Sequence, residues 1–284
     1  MSRPPFKVTE AARPDFNAAA EVVYTKPPLP DFRPGGGLNS LPNADAYRPE
    51  SAFRTLVPEE HSGAKLYKLL MGAITPRPVA FVSTVSKDGV KNIAPFSFFN
   101  IVSADPPTIV VSVAPGEKGL KDTARNILDT KGFSVSIISE SWVEAANLAA
   151  LDAPPSVDEF ALTGLTPRAS EVVAAPHVAE AAFSVEAELL HHYTLRKADG
   201  SESNTVFLGT VKRIHAKEFI FDEKDPYRVL TERLRPVSRL GGIAYGRVTE
   251  AYDLERKRWD DIGESEDVQA ALNGKGSANG TNGH

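Results

Sequence analysis

The stretch from residue 76 to residue 100, PRPVAFVSTVSKDGVKNIAPFSFFN, constrains the fold more than any other part of the chain. Residues 79–85 are small, β-branched or aromatic, Ser86-Lys87-Asp88-Gly89 is turn chemistry, and residues 90–99 return to the first composition. That order predicts a β-hairpin. Its second arm closes on Ala94-Pro95-Phe96-Ser97-Phe98-Phe99-Asn100, where large rings are mixed with hydroxyl and amide groups. A strand that only fills a core needs no such mixture, whereas a pocket for a flat polar ring system does.

Patterning extends the reading in both directions. Leu66, Tyr67, Leu69, Leu70 and Met71 fit a helix over residues 64–73, stopped by Gly72 and Pro76. Asp105-Pro106-Pro107 turns the chain into TIVVSV at residues 108–113, β-branched enough for burial on both faces. A helix from Lys121 to Leu128 shares Ala124, Ile127 and Leu128 on one face and is ended by Gly132. Residues 133–139 alternate as a strand, 140–151 read as a helix packing through Trp142 and Ala146, and 152–176 as loop. Residues 183–195 put Phe183, Val185, Ala187 and Leu189 on one face and Ser184, Glu186 and Glu188 on the other, a half-exposed strand paired with 205–214. Phe219-Ile220-Phe221 reads as a short strand and 226–234 as a short helix with Pro226 in its first turn. Six or more short, hairpin-connected strands with inserted helices imply a mainly β fold with flanking helices, closed as a small antiparallel barrel.

Composition removes several function classes. A net charge of -5 and a pI near 5.8 provide no basic field for nucleic acid or an anionic membrane. The absence of cysteine excludes disulfides, thiolate nucleophiles and iron-sulfur ligation, so redox chemistry would need a bound cofactor. No leader signature and no apolar run of about 20 residues stands in the sequence, and a soluble cytoplasmic protein is expected. Residues 1–58 hold ten of the 22 prolines. They read either as a disordered tail or as an arm anchored on its own domain or a partner subunit by Phe6, Phe16, Tyr24, Phe32, Tyr47 and Phe53. Residues 59–260 form the expected domain, and residues 261–284 a disordered tail.

Pro76-Arg77-Pro78, Ser83-Thr84, residues 92–100, Asp105-Pro106-Pro107, Lys121-Asp122-Thr123 with Arg125-Asn126, and Arg239-Leu240-Gly241-Gly242 form an ordered set. In that order and spacing the chain resembles the flavin reductase-like family over residues 64–250. These are split-barrel flavoproteins of the flavoredoxin and flavoprotein oxygenase type. The resemblance implies a six-stranded, Greek-key-like FMN-binding split barrel, a homodimer with FMN near its interface, and NAD(P)H as co-substrate.

Each site residue has a plainer reading beside it. The start of the 122–130 helix offers amides, dipole, the Lys121 charge and the Thr123 hydroxyl to a phosphate; it also reads as an ordinary capped helix. The resemblance favours phosphate, with Lys121 and Thr123 ahead of Asp122, whose carboxylate as N-cap would compete for the same amides. Ser97, Phe98, Phe99 and Asn100 suit the flavin ring or a packed core strand, and alternation allows only one of the two rings to face a cofactor. Ser83 and Thr84 likewise point oppositely, and the resemblance favours Thr84. It extends the cofactor set to Ala94 and Pro95. Arg77, fixed between two prolines, suits a phosphate or carboxylate, or a surface ion pair. Arg239 and Tyr245 flank Gly241-Gly242 and are expected to line the substrate side.

His191-His192 cannot share a metal on a strand, and no third ligand stands nearby in sequence, so no metal is assigned. No nucleophile, triad, phosphate-binding Gly loop or single acid-base carboxylate is identifiable, and catalysis is expected to be flavin-centred. By resemblance, electrons pass from NAD(P)H through FMN to flavin, oxygen or an organic acceptor. The alternatives are an FMN-carrying electron-transfer module without turnover of its own, or a barrel that has lost its flavin. The last is motivated by Thr205, which stands where many relatives carry His after Asn.

Overall fold

The computed structural model describes residues 5–117 and 119–274. They divide into a compact unit over residues 58–248 and a second unit formed by the described parts of the two termini. Among the described residues, no helix is long and apolar enough to cross a membrane.

The larger unit opens with helix α1 (Gly63–Ala73) and then the hairpin, strands β1 (Ala80–Val85) and β2 (Lys91–Phe96). Its register runs from Ala80 opposite Phe96 to Val85 opposite Lys91. The Ser86 N–H donates to the Val90 carbonyl at 2.9 Å and Gly89 takes φ 85°, which only glycine adopts cheaply. The expected arm 90–99 is in fact two strands. β2 stops at Phe96, and β3 (Phe99–Ala104) turns back through residues 105–106 to pair with β4 (Pro107–Val113).

Helix α2 (Asp122–Thr130), β5 (Gly132–Ile137), helix α3 (Val143–Leu148), helix α4 (Glu159–Thr163), β6 (Phe183–Arg196) and β7 (Glu202–Ala216) complete the frame. The main sheet has seven strands in the order β2-β1-β5-β6-β7-β4-β3, every neighbour antiparallel. The count exceeds the implied six because Ser97 and Phe98 divide the second arm. Its two edge strands, β2 and β3, are separated by those two residues alone, so the ends of the sheet must meet. The Ser112 N–H fastens the junction by donating to the Phe98 carbonyl at 2.9 Å. Pro95 is tolerated on β2 because an edge strand can spare an N–H.

Burial follows the pleat of β1. Ala80 and Val82 face the barrel interior with Val111, Phe133, Ala187 and Phe207, closed by Ala124 and Ile127 of α2. Phe81 faces outward, yet it is fully buried with Ile93, Trp142, Ala146 and Phe160 beneath α3 and α4. At the tightest point the Phe133 ring lies over Gly209, where an added Cβ would come within 2.5 Å of the ring.

Several local expectations fail for tertiary reasons. Lys131, not Gly132, caps α2, with φ 62° and its N–H on the Ile127 carbonyl; Gly132 opens β5, where a Cβ would meet Val173 at 2.9 Å. The polar face of β6 is covered at Ser184 and Glu186, while Glu188 stays exposed: Glu186 is 0 % exposed, its carboxylate accepting from the N–H groups of Glu171, Val172 and Val173 and contacting His215 Nε2 at 2.6 Å. Residues 140–142 form a 3-10 turn ahead of a shorter helix, and α4 lies inside the expected loop. Glu218–Ile220 is likewise a 3-10 turn, not a strand. Only Thr231–Leu234 of the expected 226–234 helix is helical, because Pro226 sits in a turn where the Asp222 N–H donates to the Arg228 carbonyl.

In the terminal unit, Val23–Thr25 pairs in parallel with Glu250–Tyr252. Glu266–Leu272 is a helix where a disordered tail was expected, its Val268 N–H capped by Ser265 Oγ. Residues 275–284 of that expected tail lie outside the described residues.

Candidate functional site

The edge strand β2, the start of α2 and the segment after α3 enclose a cavity of about 330 Å³. A second cavity, of about 240 Å³, shares Pro95, Phe96, Lys121 and Ala150 with the first and extends toward Ser97, Phe98, Arg239 and Tyr245. Hairpin strands β8 (Val237–Arg239) and β9 (Tyr245–Arg247) bring the last two residues there.

The first lobe is built around α2. Lys121 is the N-cap residue, in extended conformation, and no side chain caps the helix. Asp122 sits one position inside and is held away from the cap role by Arg125 at 2.7 Å. The expected competition for the helix amides is thus relieved. Thr123 lines this lobe but is only 2 % exposed, its Oγ1 accepting from Asn92 Nδ2 at 3.0 Å.

Glu159, the first residue of α4, lines the same lobe. It is 6 % exposed, and its buried Oε2 has no hydrogen-bond partner among the described residues. Burial raises its carboxyl to about 7; its own N–H and that of Ile93 oppose the rise, and Asp122 and Asp158 add to it. No sequence signal marks this residue, since a Glu at a helix start is ordinary and its burial is produced by distant strands.

The second lobe is more apolar. Phe98 lines it with Tyr67 and Val79, and Ser97, Ser112 and Asn147 supply polar rims. Tyr245 donates to Asn147 Oδ1 at 3.1 Å, and the Arg239 guanidinium stacks 4.5 Å from the Tyr245 ring centroid while donating to the Gly242 and Ile243 carbonyls. Asn204 Nδ2 donates to Ser112 Oγ at 3.1 Å, reaching this rim from β7. Its neighbour Thr205 is buried against Thr194.

Nine sequence-derived residues therefore line the two lobes: Ala94, Pro95, Ser97, Phe98, Lys121, Asp122, Thr123, Arg239 and Tyr245. Five do not. Thr84 is fully buried and accepts from the Asn92 and Asn126 amides at 3.2 and 3.0 Å, so its hydroxyl is spent inside the barrel. Ser83 is buried on the opposite face. Phe99 packs into the interior cluster, as the pleat requires once Phe98 faces the lobe. Asn100 is exposed and accepts from the Ile101 N–H. Arg77 is neither a ligand group nor a surface ion pair: it donates to the carbonyls of Met71, Ile74 and Leu240 and to Ser97 Oγ. A buried guanidinium among carbonyls closes the end of α1 and braces Ser97 from behind.

The sequence profile described as "Flavin reductase like domain" matches residues 71–234. An uncharacterised protein of Aquifex aeolicus is 42 % identical over 190 residues, covering 66 % of this chain and 93 % of its own length. Among solved structures, nitrilotriacetate monooxygenase component B from Bacillus cereus superposes with a TM-score of 0.69 at 40 % identity, covering 72 % of this chain and all of that one. Pseudomonas fluorescens 2-nitrobenzoate 2-nitroreductase NbaA gives a TM-score of 0.63 at 27 % identity, covering 72 % of this chain and 96 % of the other. A protein with a split barrel domain from Shewanella frigidimarina superposes with a TM-score of 0.59 at 17 % identity, covering 72 % of this chain and 99 % of that one, and the barrel described above has that split-barrel fold.

Proposed function

The chain belongs to the flavin reductase-like family, and on that premise we propose that it is an FMN-binding oxidoreductase passing electrons from NAD(P)H to flavin, oxygen or an organic acceptor. One observation carries the reading: two joined lobes, one ending on a lysine and an uncapped helix N-terminus, the other on an aromatic wall with hydroxyl and amide rims.

The donor set fits FMN. A phosphate monoester needs cations or converging N–H groups, and Lys121 with the start of α2 provides both. An isoalloxazine needs apolar faces and a polar edge, which Phe98 and the Ser97 and Asn147 side chains offer. When bound, FMN supplies the hydride and electron chemistry; the protein binds, orients and shields. Arg77 locks Ser97, the Tyr245–Asn147 hydrogen bond and the Arg239 stack stiffen the far wall, and the Thr84–Asn92–Thr123 network fixes α2 against the hairpin. An organic acceptor is supported by two neighbours whose names describe a monooxygenase component and a nitroreductase.

A homodimer is part of the proposal. Ile101 and Val102 on edge strand β3, and Leu190, Tyr193 and Leu195 on β6, are large apolar side chains left exposed in the single chain. Sedimentation velocity checks it, and a monomer at micromolar concentration would overturn it.

Absorbance spectroscopy of protein reconstituted with FMN tests the function. A bound flavin spectrum that bleaches on adding NAD(P)H is expected, and no flavin binding at micromolar concentration would sink the reading. A flavin that bleaches only through a partner protein, with negligible steady-state NAD(P)H oxidation, would assign the chain to electron transfer without turnover.

A further inference from the structure

Lys121 and Arg239 are the charged side chains among the described residues that line the second lobe, and none of those residues is acidic. Arg77, behind the same wall, donates to Ser97 Oγ and otherwise to the Met71, Ile74 and Leu240 carbonyls. Among the described residues, no ion pair joins any of these three cations to a carboxylate, although Asp and Glu outnumber Lys and Arg by 37 to 32 in the sequence. Carboxylates are not scarce in such a chain. Positive charge left uncompensated around a concave site marks a place for an anionic ligand.

Of the three, Arg239 is the one still available. The proposed phosphate site uses Lys121, and Arg77 is 7 % exposed among its acceptors. Arg239 is half-buried and fixed in place: its guanidinium lies 4.5 Å from the Tyr245 ring centroid, and Nη1 and Nη2 donate to the Ile243 and Gly242 carbonyls at 3.0 and 2.9 Å. Tyr245 is itself held, since it faces Arg239 across the β8–β9 pair, donates to Asn147 and packs on the cluster that contains Phe81 and Trp142. The two carbonyls use two of the five N–H groups that a guanidinium carries, and the others have no partner among the described residues. Carbonyl dipoles hold the group without cancelling its charge. A preordered fork of this kind suits a planar carboxylate.

Resting on the FMN reading, we propose that Arg239 anchors the anionic group of the organic acceptor, so that the second lobe takes aromatic carboxylates in preference to neutral rings of the same shape. The flavin ring claims Phe98 and the Ser97 rim; Tyr67 and Val79 remain for the acceptor's ring and Arg239 for its carboxylate. The nicotinamide donor is anionic as well, but through phosphates spread along a polar chain, whereas this wall is apolar beside a single free fork.

Benzoate and benzamide, which match in shape and differ in charge, test this on the FMN-loaded protein at neutral pH, with binding read from the perturbed flavin absorbance. Benzoate should bind the parent at least about tenfold more tightly than benzamide. The ratio should fall to near one in Arg239→Gln and lie between the two in Arg239→Lys, which keeps the charge but loses the fork and the stack. Because it is a ratio, general damage to the lobe cancels. Equal affinities in the parent, or a preference that survives in Arg239→Gln, would overturn the proposal. So would an Arg239→Gln protein that keeps the benzoate preference but needs more NADPH to half-bleach its flavin, since the cation would then serve the donor's phosphates. If the protein binds no FMN, that reading fails and calorimetry of the apoprotein with the same two ligands decides this one. A benzoate preference abolished by Arg239→Gln upholds the anchor, and equal or absent binding sinks it.

Discussion

Arg77 Nη1 donates to the Met71 carbonyl at 2.7 Å, joining the first strand of the hairpin region to the last turn of α1. The same nitrogen reaches the Ile74 carbonyl at 2.6 Å, so one guanidinium satisfies two carbonyls that the helix end leaves open. Arg77→Ala would strand those acceptors together with the Leu240 carbonyl and Ser97 Oγ, and a loss of about 3 kcal/mol is expected. Arg77→Lys should recover only part of it, because a single ammonium cannot copy the fork. Chemical denaturation checks both.

Phe98 and Phe99 should separate binding from stability. Phe98→Ala is expected to weaken flavin binding about tenfold while leaving the unfolding midpoint nearly unchanged, since this ring lines the lobe. Phe99→Ala removes a ring from the interior cluster and should cost about 2 kcal/mol with a smaller effect on affinity. Flavin titration and urea unfolding of the pair read the two effects; a reversal of roles would refute the assigned facing.

Gly209→Ala should destabilise the barrel by about 1–3 kcal/mol, since its Cβ would meet Phe133 Cζ at 2.5 Å and Ala187 Cβ at 3.1 Å. Phe133→Leu in the same chain should restore part of the loss, and thermal unfolding of the double mutant measures the coupling.

Without ligand, Glu159 should weaken the fold as pH rises. Its carboxyl moves from an ordinary 4.5 to about 7 on folding, so the folded state holds its proton longer. The stability contributed by the neutral form is complete below 4.5 and lost between there and 7, up to about 3 kcal/mol. Glu159→Gln should match the parent at pH 4.5 and exceed it at pH 8 in thermal unfolding of the apoprotein.

Glu186 should act in the opposite direction. Burial pushes its carboxyl up, but the N–H of Glu171, with His215, Val172 and Val173, outweighs that and holds it at about 2. Its stabilisation is present above about 4.5 and lost as pH falls toward 2, roughly 3 kcal/mol at most. Glu186→Gln should therefore lower stability at pH 7 and reduce the acid sensitivity of the parent. Denaturant midpoints at pH 7 and pH 3 compare the two.

Local chemistry made the frame legible. Ser86-Lys87-Asp88-Gly89 specifies its turn, the alternation of residues 183–189 specifies a strand, and the apolar face of α2 specifies a packed helix, because each depends on neighbours a few residues away. The pleat rule alone puts Phe98 and Phe99 on opposite faces. It did not assign Thr84, because the Asn126 amide that consumes its hydroxyl is 42 residues distant.

The sequence by itself determined a β-rich, cysteine-free barrel, and its resemblance to a known family implied that the start of the 122–130 helix and the ring-bearing end of the hairpin serve one site. Only tertiary structure decided which polar groups stayed available: Arg77 and Thr84 were spent on internal hydrogen bonds, Glu186 was buried with its partners, and Glu159 was buried with one oxygen unpartnered. The reason is physical. A residue's type fixes what it can donate or accept, but whether that capacity faces a cavity or a neighbouring backbone depends on how a sheet closes over chain segments far apart in sequence.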